Sequence, residues 1–148
     1  MKGQVNIELD IPSVIDTNLL DPEDMIVSLG QIGFVVTKNR PVETQLQPTL
    51  ERMAKQYNLP AFGLVWTSPK GIVPFVFVRD TSSFVRETAC GSGSLAAYIV
   101  SDAGSAGVDC DIFQPTGKAI TIRRKLGTNT FRLAARVNEV VYEELGIN

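Results

Sequence analysis

The sequence predicts an α+β fold in which a strongly curved sheet wraps round one buried helix, with a second helix on the outside. Three observations carry this expectation. Runs of β-branched and aromatic residues recur along most of the 148 residues, with turn residues between them. The segment from Gly91 to Val100 carries Leu95, Ala96, Ala97, Tyr98, Ile99 and Val100 around nearly its whole circumference, which leaves no face for water. A further segment, between Pro48 and Asn58, has helical spacing with its apolar residues on a single stripe.

Taken in order, Val5, Ile7, Leu9 and Ile11 alternate with polar residues, the period of a half-buried strand. Ile26 to Leu29 and Phe34 to Val36 flank a turn marked by Gly30 and read as two more strands. Leu50, Met53, Ala54 and Tyr57 define a surface helix over Pro48 to Asn58 that Leu59-Pro60 closes. Phe62 to Thr67 and Ile72 to Arg79 are joined by Ser68-Pro69-Lys70-Gly71, whose residues suit a tight turn, so these segments are predicted to be neighbouring strands. The apolar helix follows and ends at Ser101-Asp102-Ala103-Gly104. Val108 to Phe113, Ala119 to Arg124, Thr130 to Ala134 and Val137 to Glu144 complete the strands, with turns at Gln114-Pro115-Thr116-Gly117 and Gly127-Thr128-Asn129. No linker or internal duplication interrupts the pattern, so residues 1–148 are read as a single domain.

Composition narrows the function classes. With 44% hydrophobic and 20% charged residues, the chain has the make-up of a soluble protein with one real core. Sixteen acidic residues against fourteen basic ones give a net charge of -2, and the only basic cluster is Arg123-Arg124-Lys125, so no nucleic-acid partner is expected. The N-terminus lacks a secretory apolar core, and no apolar run approaches the roughly 20 residues needed to span a bilayer. The expectation is a cytoplasmic chain without membrane contact. In that compartment Cys90 and Cys110 are expected as free thiols.

Chemistry concentrates in Glu87-Thr88-Ala89-Cys90-Gly91-Ser92-Gly93-Ser94. Here a thiol stands where a glycine-bearing turn runs into a helix. The first amides of a helix have no internal partner and carry the positive end of the macrodipole. A cysteine there is expected to ionise at about 3.5 to 7.5 instead of about 8.5. The amides of Gly91, Ser92 and Gly93 are also suited to grip a small carboxylate, because glycine lets a ligand approach the backbone closely. Cys110 stands at the head of a strand without such a turn and is given a packing role. The chain has no histidine, so the Cys-His activation of a cysteine hydrolase is not available.

The run Glu87-Thr88-Ala89-Cys90-Gly91-Ser92-Gly93, followed by a small-residue helix and then by Ile112-Phe113-Gln114-Pro115-Thr116-Gly117-Lys118-Ala119-Ile120-Thr121-Ile122, resembles the C-terminal half of the diaminopimelate epimerase family. The form of the motif is closest to that family's amino-acid racemase relatives, including histidine racemases. The resemblance implies a lobe in which a curled, mostly antiparallel sheet surrounds a central helix. It further implies an isomerase that needs no cofactor, pyridoxal phosphate and metal ions included. Two thiols, one from each lobe, act on opposite faces of a small amino-acid substrate. By this matching Cys90 is one catalytic thiol, and Gly91, Ser92 and Gly93 hold the substrate carboxylate. Asp80 and Thr81 fall where the family places a contact to the substrate ammonium, and Glu87 and Thr88 match the residues that lead into the motif.

No second Cys-Gly-x-Gly turn occurs in the sequence. The expected partner is therefore an N-terminal lobe, or a separate chain, that carries the other thiol. A homodimer facing two copies of Cys90 is the remaining arrangement. On any of the first readings, the chain by itself is expected to be inactive. Two readings from other classes stand beside this one. A module that binds a small carboxylate without catalysis would use the same amides. A dinucleotide-binding domain would use Gly91-Ser92-Gly93-Ser94-Leu95-Ala96, with Asp111 toward a ribose, but that pattern should directly follow a strand and open alternating strands and helices.

Overall fold

The structure is a computed structural model that describes residues 3–10 and 24–137. Its strands are β1 (Gly3–Asp10), β2 (Met25–Ser28), β3 (Ile32–Thr37), β4 (Ala61–Ser68), β5 (Gly71–Val78), β6 (Ser83–Arg86), β7 (Cys110–Phe113), β8 (Ala119–Arg124) and β9 (Thr130–Val137). Helix α1 (Glu43–Gln56) follows β3, and α2 (Gly91–Val100) and α3 (Asp102–Ala106) lie between β6 and β7. The class is α+β, as the sequence predicts. Most predicted elements fall within a residue or two of the observed ones. The strand expected over Val137 to Glu144 lies outside the described residues, except for Val137 at the end of β9.

The strands pair as two sheets, where the sequence suggested one curved sheet. One has five strands in the order β2-β3-β4-β5-β6, and the other four in the order β1-β9-β8-β7. All neighbours are antiparallel except β3 and β4, which run parallel with Ile32 opposite Ala61 and Thr37 opposite Trp66. A parallel pair needs a crossover, and α1 supplies it. Its residues Leu46, Leu50, Met53 and Ala54 pack on Ile26, Val35, Phe62, Leu64, Phe75 and Phe77, the outer face of the larger sheet. Every residue of β3 is consequently buried, from both sides.

The inner face of that sheet and the inner face of the smaller one enclose α2. Val27, Phe34, Val36, Val65 and Ile72 cover one side, and Ile112, Ile120, Ile122, Phe131 and Leu133 the other. An all-round apolar helix is satisfied only by walls on both sides, and Gly91 to Ile99 are all buried. Close packing within the parallel pair comes from reciprocal glycines. A Cβ on Gly33 would stand 2.6 Å from the Phe62 ring, and one on Gly63 would overlap the Phe34 ring. Each ring therefore lies over bare backbone of the neighbouring strand. Among the described residues no helix is long and apolar enough to cross a membrane.

Candidate functional site

Cys90 is the N-cap of α2, with an extended backbone (φ -148, ψ 109) that turns its side chain back over the first helical turn. Its sulfur accepts the Gly93 N–H at 3.2 Å and lies 3.5 Å from the Ser92 Oγ. Gly93 is what permits this. A Cβ there would stand 3.1 Å from Cys90 Sγ, 3.2 Å from Val65 and 3.4 Å from Pro74. Gly93 thus fits only as a bare backbone between the sulfur and strands β4 and β5.

The expected helix-start setting is present, but its effect on the thiol is the reverse of the expectation. Cys90 is 1% exposed. Burial pushes its thiol up from the ordinary 9.0. The Ser92 hydroxyl and the Gly93 and Ser92 amides pull it down, Glu87 adds to the rise through its charge, and burial prevails. The thiol is therefore protonated at neutral pH. Sequence spacing located the amides that stabilise a thiolate; it carried no information on the two walls of hydrocarbon that exclude water from it.

Gly91, Ser92 and Gly93 form the first turn of α2, as expected, and all three are buried. Glu87 is half-buried, and its N–H donates to the Pro74 carbonyl at 2.9 Å, which carries the chain from β6 toward Cys90. Burial raises the Glu87 carboxyl as well. Thr88 is exposed in the bend that follows. Asp80 and Thr81 are not brought to the thiol. Both are exposed in the turn between β5 and β6, where the Thr81 hydroxyl pairs with that of Ser83 at 2.7 Å. Gly93, in the first turn of α2, lies against β5 at Pro74, so the length of strand from Pro74 to Val78, about 13 Å at 3.3 Å per residue, separates the helix start from that turn.

Gln114, which in the sequence has the look of a turn residue, belongs to the site. It is 4% exposed, and its side chain is bonded at both ends. The Oε1 atom accepts the Cys90 N–H at 2.9 Å, while Nε2 donates to Ser94 Oγ at 2.8 Å and to the Ile112 carbonyl at 2.9 Å. Ser94 Oγ in turn donates to the Cys90 carbonyl at 2.6 Å. A polar residue at the end of an apolar strand, just before Pro115, was the available signal.

Cys110 is a partly exposed free thiol on β7, consistent with a residue outside the site. A cavity of about 640 Å³ opens at the other end of α2, where Val100, Ser101, Thr37, Lys38, Ser68 and Asp111 are among its walls; Cys90 does not line it. Among the described residues no group of three or more His, Cys, Asp or Glu is placed to hold a metal ion. Asp111 accepts a hydrogen bond from Thr121 on the adjacent strand at 2.6 Å, and strands surround the Gly91 turn where a dinucleotide fold would alternate strands with helices. Compared with models of known protein families and with curated proteins, the chain matches none.

Proposed function

We propose that this chain is one lobe of a cofactor-independent amino-acid racemase or epimerase, with Cys90 as one of two thiols that invert an α-carbon. The observation that carries the reading is the seat of the sulfur: an N-cap thiol that accepts an amide N–H from the first turn of an enclosed helix and adjoins a serine hydroxyl.

Protonated at neutral pH, Cys90 suits the acid half of the reaction. A thiolate on the partner lobe takes the α-hydrogen as a proton, and the C–H electron pair stays on the substrate, spread into its carboxylate. Cys90 then gives its own proton to the opposite face of that carbon, forming the new C–H bond and leaving a Cys90 thiolate. The Gly93 N–H and Ser92 hydroxyl already in place stabilise that anion without rearranging. The amides of Gly91 and Ser92, at the positive end of α2, are the groups suited to the substrate carboxylate, the Ser92 amide turning to it from the Cys90 sulfur. Because the sulfur is sealed, proton transfer requires the cover over the helix start to open when substrate and partner lobe dock.

That same burial favours the second reading, a module that binds a small carboxylate and uses the thiol only for packing. The two separate in one experiment. The chain is co-expressed with a segment carrying a second Cys-Gly-x-Gly turn, and the optical rotation of single-enantiomer amino acids is followed. The racemase reading expects no change with the chain alone, loss of rotation with the pair, and no loss with the pair carrying Cys90→Ser. Rotation that stays constant with the pair, while amino acids still raise its melting temperature equally with Cys90→Ala, overturns it in favour of the binding module.

A further inference from the structure

We propose that Gln114 is the positioning residue of the Cys90 thiol, a side chain of the smaller sheet that fixes the backbone of the helix start. The inference rests on reading Cys90 as a reacting group. Three of the four hydrogen bonds open to a glutamine side chain are made here, and they join three separate places: Cys90 N–H, Ser94 Oγ and the Ile112 carbonyl. Ser94 closes the loop by donating to the Cys90 carbonyl, so both backbone polar groups of Cys90 are held by this network.

The consequence follows from N-cap geometry. An N-cap residue must leave helical conformation for its side chain to fold back on the first turn. Cys90 does so, and its N–H, which no helix carbonyl can accept, points at Gln114 Oε1. With that acceptor in place the residue is held extended and Sγ is held on the Gly93 N–H. Without it, a buried N–H stands unpaired and the segment leading from Glu87 gains reason to swing toward water. Gln114 is 4% exposed, so these bonds are made away from bulk water. Among the described residues the titratable group that acts on the thiol is Glu87; Val65 of β4 and Pro74 of β5, which pack at Gly93, and Gln114, which bonds the Cys90 N–H, bring no charge.

The test reads the alkylation rate of Cys90 by iodoacetamide against pH, in a Cys110→Ser background so that one thiol reports. Gln114→Ala is expected to raise the rate at neutral pH by about tenfold, equivalent to about one pH unit in the midpoint of the profile. Gln114→Glu, protonated in this buried place, keeps an acceptor toward Cys90 N–H and one donor toward the Ile112 carbonyl, and is expected to react at the parent rate or below it. A profile unmoved in Gln114→Ala, or an equal acceleration in both variants, overturns the proposal, because a residue that merely supports the fold affects the two alike. Where Gln114→Ala does not fold, amide hydrogen exchange of the parent decides. The Cys90 N–H should exchange far more slowly than that of exposed Thr88, and exchange at similar rates overturns the assignment. These readouts need no turnover, so they fail or hold independently of the racemase reading.

Discussion

Alkaline pH should weaken the folded chain through Cys90, and the sign and ceiling of the effect follow from its burial. The unfolded thiol ionises near the ordinary 9.0, whereas burial holds the folded thiol above that value. Between the two, the folded state keeps a proton that the unfolded state has released, so stability falls as pH rises. The stabilising contribution is whole below 9.0 and is lost as pH climbs from there through the folded value. One proton sets a ceiling of about 1.4 kcal/mol per pH unit. The assay is urea unfolding from neutral pH to well above 9.0, comparing the chain with its Cys90→Ala variant, both in a Cys110→Ser background. Glu87 is raised from 4.5 and titrates at the acid end in both proteins, so it cancels over this range. The chain carrying Cys90 should lose up to about 1.4 kcal/mol more than the alanine variant for each pH unit in the window. Stability curves that run parallel would refute the sealed, protonated thiol.

Other substitutions test the frame around the site. Tyr98→Phe removes a hydroxyl that donates to the Val108 carbonyl at 2.8 Å and accepts the Arg124 N–H at 3.0 Å. Leaving those groups unpaired should cost about 1–3 kcal/mol in denaturant unfolding. In Gly104→Ala the new Cβ would run into the Tyr98 carbonyl, a backbone atom that cannot swing aside, and a loss of about 1–3 kcal/mol with a lower Tm is expected. Asp80→Asn should leave the Cys90 alkylation profile unchanged, since Asp80 lies in the exposed β5–β6 turn; a shifted profile would bring that turn back into the site.

The sequence was most legible where packing enforces periodicity. The all-round apolar run at Leu95 to Val100 announced an enclosed helix, and that helix is the centre of the fold. The strand runs were legible for the same reason, since β3, β4 and β5 carry long apolar stretches. Helix α1 begins at Glu43, five residues before the expected start at Pro48. Its N-cap, Val42, makes no side-chain cap, so the usual start signal is absent, and Pro48 sits on an exposed turn of the helix interior. Strand β6 leaves no clear pattern in the sequence because Ser83, Phe84, Val85 and Arg86 are at a sheet edge with no face fully buried. Helix α3 hid in Asp102 to Ala106, small residues that read as a turn but are capped by Ser101 Oγ and closed by Gly107 at φ 67. The division into two sheets was not readable, because pairing between distant strands such as β1 and β9 leaves no local trace. At the site, the cap position of Cys90 and the glycines beside it were legible. The burial of the sulfur and its tie to Gln114 depend on contacts across the fold, and a side chain 24 residues away gives no signal in spacing.

The most direct test of Cys90 as a proton-transferring thiol is isotopic. A single-enantiomer amino acid is incubated in D2O with the chain and its partner lobe, and deuterium at the α-carbon is measured by mass spectrometry in both recovered enantiomers. Label is expected in the inverted product, with incorporation abolished by Cys90→Ala. Label entering at the same rate with alanine at position 90, or inverted product free of deuterium, would contradict it.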